Sequence, residues 1–199
     1  MPLHSALTDA NGIHEPKGIS TTTNGQVYIA NGAASGNWKH FPTGWGYYQH
    51  SGAAQNITTT NTKLIINGLG SLTNTTYLPA EIRGTGQLWS TTNNRIAPIR
   101  LGDAYETRID LPITARTTAA ELTISYDISG GASPTSIILS TYDPVTRTPP
   151  YTLSITVPLL VITSTTLTNG IQLFLKVDAG SIDITNPSIS IIRTHSGDT

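Results

Sequence analysis

The stretch Glu106-Thr107-Arg108-Ile109-Asp110-Leu111-Pro112-Ile113-Thr114-Ala115-Arg116 decides the fold. Ile109, Leu111, Ile113 and Ala115 fall on one side of an extended chain, and Glu106, Arg108, Asp110 and Arg116 on the other, because side-chain direction in a strand repeats every second residue. One face is therefore destined for a core. Outward from it the pattern recurs: Leu122, Ile124, Tyr126 and Ile128 alternate with Glu121, Thr123, Ser125 and Asp127, and Tyr151, Leu153, Ile155 and Val157 with Thr152, Ser154 and Thr156. Ile171, Leu173, Leu175 and Val177 give a fourth strand, Ile182 with Ile184 a short fifth, and Ile189 with Ile191 a sixth.

Turn residues punctuate these runs. Pro112, Pro134, Pro149, Pro150, Pro158 and Pro187 mark edges and ends, since proline donates nothing to a ladder. Many short strands between Gly, Pro and Asn turns predict an all-β, antiparallel jelly-roll sandwich of about eight strands. No stretch has apolar residues at i, i+3, i+4 and i+7, so helix content is expected to be very low.

The chain has 199 residues, enough for one domain of ordinary size with an extension, and no cysteine, so neither disulfides nor thiolate metal sites are available. Eleven Lys and Arg against twelve Asp and Glu give a net charge of −1, and charged residues make up 12% of the chain, about half the usual share. Binding to a phosphate backbone needs clustered cations, which this composition lacks, so no nucleic-acid partner is expected. No apolar run approaches the roughly 20 residues of a membrane helix, and the start lacks the basic and apolar segments of a signal peptide. A soluble protein made in a cytoplasm, without a membrane partner, is the expectation.

Residues 1–43 read differently from residues 44–199. Up to about Lys39 neither period is sustained, and only Gln26-Val27-Tyr28-Ile29-Ala30, between Asn24-Gly25 and Asn31-Gly32, reads as a short strand. Such a segment buries too little apolar surface to offset an ordering entropy of about 1–2 kcal/mol per residue. It is expected to be an extended arm that takes shape on a partner surface, the alternative being that it docks on its own sandwich. Trp38, Phe41, Trp45, Tyr47 and Tyr48 then crowd together, broken into turns by Pro42, Gly44 and Gly46. The cluster suits the junction of arm and sandwich or the centre of an oligomer, with Trp45 and Tyr47 as subunit-interface residues. Aromatic rings on loops can also stack on sugars, which makes Trp38 and Trp89 candidate glycan contacts. Lys63-Leu64-Ile65-Ile66, Leu88-Trp89 and Arg95-Ile96 are further short strands.

No catalytic residues are assigned. Gly44-Trp45-Gly46, Gly68-Leu69-Gly70 and Gly84-Thr85-Gly86 lack the third glycine of a phosphate loop, no Gly-x-Ser-x-Gly occurs, and the five histidines show no metal-ligand spacing. Glu106 and Asp110 share a strand face, but their α-carbons would be about 13 Å apart at 3.3 Å per residue, generous for a glycosidase pair. Asp127, Asp178 and Asp183 are read as turn formers at strand ends. Neither a cofactor nor a metal is expected. Phe174, between Gln172 and Lys176 on the polar side of its strand, is expected to expose its ring to a neighbouring copy.

The segments His14-Glu15-Pro16-Lys17-Gly18, Gly25-Gln26-Val27-Tyr28-Ile29-Ala30-Asn31-Gly32 and Ser35-Gly36-Asn37-Trp38-Lys39 resemble the anchoring segments of tailed-bacteriophage virion proteins. Gly44-Trp45-Gly46-Tyr47-Tyr48, Leu64-Ile65-Ile66-Asn67-Gly68-Leu69-Gly70, Tyr77-Leu78-Pro79, Leu88-Trp89 and Gly102-Asp103 resemble the C-terminal domains of phage head-fibre and capsid decoration proteins, above all those of marine phages. The resemblance implies a non-enzymatic, trimeric jelly-roll of the tumour-necrosis-factor type on the capsid exterior. Its arm would be bound to the major capsid protein or another virion protein through His14, Glu15, Pro16, Lys17, Gly18, Val27, Tyr28 and Ile29. A receptor- or glycan-binding tip on a tail or fibre is the alternative. No coiled-coil shaft separates arm from domain, which favours a short knob over a long fibre.

Overall fold

The computed structural model describes residues 26–32, 35–40 and 43–197. The sandwich is organised around β8, Ala104–Arg116, the run with the longest uninterrupted alternation. Its thirteen residues are long enough to serve three partners. One edge pairs with β11, Tyr151–Leu160, along ten residues. The other takes β14, Ser188–His195, over its first half and β13, Ile182–Ile184, over its second. Outside these lie β3, Gly44–Gln49, beside β14, and β4, Gln55–Ile57, beside β13.

The facing sheet has the order β10-β9-β12-β7-β6, with β5 also on β12. Its strands are β5 Thr62–Lys63, β6 Trp89–Ser90, β7 Arg95–Ile96, β9 Ala120–Asp127, β10 Ile137–Val145 and β12 Ile171–Val177. All pairings are antiparallel, and the two sheets form a jelly-roll sandwich. Ile109, Leu111 and Ile113 meet Leu122, Ile124, Tyr126, Leu173, Leu175, Ile189 and Ile191 in one core, all sealed from water. Each large aliphatic side chain so buried contributes roughly 1.5–3 kcal/mol. A six-residue helix, α1 Ser164–Asn169, is capped by Thr163, whose side chain accepts from the Thr166 amide.

The six alternating runs all appear as strands. Leu64, Ile65 and Ile66 do not extend β5, because the Ile65 and Ile66 amides donate to the side chains of Gln55 and Asn94 and not to a strand. Of the aromatic cluster, expected to be broken into turns, Phe41 lies outside the described residues, Trp38 falls in the strand Ser35–His40, and Trp45, Tyr47 and Tyr48 fall in strand β3. Gly46 there is a point of close packing and not a turn: a β-carbon on it would lie 2.8 Å from the Tyr48 ring. Strand β10 has no counterpart in the sequence reading. Its opening Ile137-Ile138-Leu139 does not alternate: all three apolar side chains, on both faces of this edge strand, are exposed.

Ahead of the sandwich, β1 Gln26–Gly32 and β2 Ser35–His40 form a hairpin of their own, with Tyr28 opposite Trp38 and Val27 opposite Lys39. Among the described residues this hairpin pairs with neither sheet.

Candidate interaction surface

Strand register places the outward side chains of the β11-β8-β14-β3 sheet in rows. Trp45, Ile192, Glu106 and Pro158 form one row, and Tyr47, Ser190, Arg108 and Thr156 the next. The row of Gln49, Ser188, Asp110 and Ser154 follows. The face grades from apolar to polar along the strands. At its apolar end Trp45 stacks on the exposed ring of Tyr77 with centroids 5.1 Å apart, held by a 2.8 Å bond from the Trp45 amide to the Tyr77 carbonyl. Ile192 is 40% exposed and Leu160, at the end of β11, 61%. At the polar end Arg108 Nε donates to Asp110 Oδ1 at 3.0 Å, and the Ser154 hydroxyl donates to the same oxygen. Tyr47 sits between, half-buried, its hydroxyl donating to Ser188 at 2.8 Å. Trp45 and Tyr47 thus lie together on an accessible sheet face.

Two expected site residues are elsewhere. Phe174 is wholly buried within its own chain, so it offers nothing to a second copy. The reason is that both sides of β9 and β12 are covered: Thr123, Ser125 and Gln172, on the side that alternation marks as polar, are buried as well. Phe174 lies between Lys63 and Ser125 in the sheet. Beside it Gln172, with its amide oriented to satisfy both partners, donates to the Gly131 carbonyl and accepts from Lys63 Nζ at 2.7 Å. The loop carrying Gly131 is folded back by Asp127, a buried carboxylate that accepts from the amides of Ser129, Thr135 and Ser136 and from the Ser129 hydroxyl. Trp89 also departs from the expectation. It is fully buried in the core with its indole N–H donating to the Ile66 carbonyl at 2.8 Å, so it cannot stack on a sugar.

In the hairpin, Val27 is exposed, and Tyr28 meets Trp38 edge to face at 5.2 Å, both rings half-buried. Ile29 lies in the same strand. His14, Glu15, Pro16, Lys17 and Gly18 lie outside the described residues.

The strongest ionic constellation lies at residues that carry no motif in the sequence. Arg193, fully buried, forks onto Glu81 with contacts of 2.5 and 3.1 Å and stands 3.9 Å from Asp103. Asp103, also fully buried, accepts from the Tyr105 hydroxyl at 2.5 Å and from the amides of Arg100 and Gly197 at 3.0 and 2.8 Å. Burial, reinforced by the Asp103 hydrogen bond, pushes the Tyr105 phenol well above its ordinary range. The signal was in the alternation: Ile189 and Ile191 point inward, so Arg193 does too. These carboxylates are spent on holding the Leu78–Asp103 region and the C-terminal strand together, and Asp110 on Arg108 and Ser154. Asp178 and Asp183 likewise bind the Glu121 amide and the Asn56 side chain. Among the described residues no cluster of three or more His, Asp or Glu could hold a metal.

No family model matches the chain, and no curated protein matches it. Solved structures of similar fold include Eiger TNF from S. frugiperda, at 8% identity over 80% of this chain and 97% of that one, with a TM-score of 0.47. The PRD1 vertex protein is similar at 17% identity over 86% and 82%, with a TM-score of 0.45. A chain of the Maize Chlorotic Mottle Virus particle is similar at 14% identity over 78% and 95%, with a TM-score of 0.31. At these values the likenesses carry no information about activity.

Proposed function

We propose that this chain is a non-enzymatic structural protein of a bacteriophage virion. In this reading it is a capsid-surface decoration protein or short head fibre, anchored through residues 1–43 and displaying residues 44–199 outward as a homotrimer. The observation that carries the reading is the separation between a sandwich that closes its own core and a hairpin that pairs with neither sheet. A lone two-stranded hairpin is marginally stable in water, so its apolar side chains call for another surface. The phage resemblance of the flanking segments supplies the kind of surface, a capsid protein. The Trp45, Tyr77 and Ile192 end of the outer sheet face supports contact between copies, because interfaces are enriched in aromatic side chains with a polar rim.

The test is binding to capsids of the parent virus made with this gene deleted. The full chain is expected to saturate discrete positions on the shell, and a chain lacking residues 1–36 to lose occupancy. Undiminished binding by the shortened chain would remove the basis of the proposal. Light scattering on the free protein is expected to give three times the chain mass of 21.1 kDa, and Trp45→Glu to lower it.

A further inference from the structure

The two ends of the sandwich differ in chemistry. Strand β3 starts at Gly44, opposite Arg193, and Arg193 pairs with Tyr105, so residues 1–43 join the sandwich where β8 begins and β14 ends. Leu160, opposite Ala104, brings the end of β11 to the same place. Three residues separate β8 from β9 at the far end, so β9 runs back and its last residue, Asp127, returns here with Ile137 of β10 opposite it. Five large apolar side chains stand in water at this end: Leu101, Ile137, Ile138, Leu160 and Ile162, between 46% and 76% exposed. Arg100, partly exposed, and His195, exposed, stand among them, while the far end carries Arg116, Glu121 and Asp183 on its strands and Arg147 and Asp178 in its loops.

Beneath the apolar end the chain is braced. Arg193, Glu81 and Asp103 cross-link three segments inside it, and the last described residue, Gly197, lies so close to Leu101 that a β-carbon there would meet the Leu101 carbonyl oxygen at 1.8 Å. A stiff apolar platform beside the attachment point of an arm has the form of a second contact with whatever holds the arm.

We propose that this end of the sandwich is a foot: Leu101, Ile137, Ile138, Leu160 and Ile162 seat on the same shell protein that binds residues 1–43, and the charged end faces outward. The foot rests on the virion reading above. It adds to that reading an orientation and a second docking surface, whose apposition to the shell follows from where the arm joins. Two linked contacts would act together, each raising the effective concentration of the other.

Ile138→Glu and Ile162→Glu place charge on side chains already in water, so folding is expected to be unaffected. Binding to shells of the parent virus lacking this gene product is expected to weaken roughly tenfold or more for each, as for a charge forced into a desolvated contact. Leu69→Glu, an exposed residue beyond the end of β3 opposite to Gly44, is expected to bind as the unaltered chain does. Foot variants that bind normally while the chain lacking residues 1–36 fails would overturn the foot and leave the arm standing. Foot variants that change the mass in solution would also overturn it, since the patch would then lie between copies. An unaltered chain that ignores the shells would overturn both.

Discussion

Arg193 is the residue on which the apolar end depends. Removing a buried cation while its two carboxylates stay leaves Asp103 its hydrogen bonds but, among the described residues, no charge partner within 4 Å, and leaves Glu81 the more distant Arg100 at 3.8 Å, so Arg193→Met is expected to lower unfolding free energy by about 3 kcal/mol in urea denaturation. Phe174→Ala is expected to cost about 3–5 kcal/mol without changing the mass in solution, because the ring is buried inside one chain. A ring serving an interface would instead shift the oligomer and spare the fold. His50 gives a pH dependence. Burial lowers its pKa below 6.5, and its Nδ1 accepts from the Asn67 amide at 3.4 Å, which requires the neutral ring. The folded chain therefore holds fewer protons here than the unfolded one. The contribution is complete above about pH 6.5 and is lost as pH falls through the lowered value. Denaturant midpoints at pH 7.5 and 5.0 are expected to differ more for the natural chain than for His50→Gln.

At the scale of elements, Gly170 closes α1 with φ 67° and ψ −168°, a region open almost only to glycine, and a β-carbon there would stand 2.3 Å from the Ile96 carbonyl oxygen. Gly170→Ala is expected to cost at least about 1–3 kcal/mol, read from thermal or urea unfolding. Strands with one wet face were legible because water imposes alternation, which is why β8 and β11 stand where the period of two puts them. The same rule misled at Phe174. Alternation reports which side chains face the core, but a second cover on the outer face, where Thr123, Ser125 and Gln172 are buried as well, leaves no trace in the period. Strand β10 was illegible for the converse reason: an edge strand with apolar residues on both sides has no period to read. Glycine in β3 resembled turn punctuation when its cause was the approach of Tyr48. The Arg193 cluster joins residues 112 positions apart, Glu81 to Arg193, and only the fold brings them together.

For the whole molecule, the proposal reads a low-charge sandwich with its own core as a body, and a hairpin that among the described residues pairs with neither sheet as its attachment. The sheet face around Trp45 and the foot around Ile162 would then divide the apolar surface between copies of the chain and the shell. The most direct test is a reconstructed image of the parent virion compared with one lacking this gene. The account predicts that knobs with threefold symmetry, apolar end inward, disappear from the capsid exterior of the deletion particle. An identical capsid surface in the two particles would contradict it.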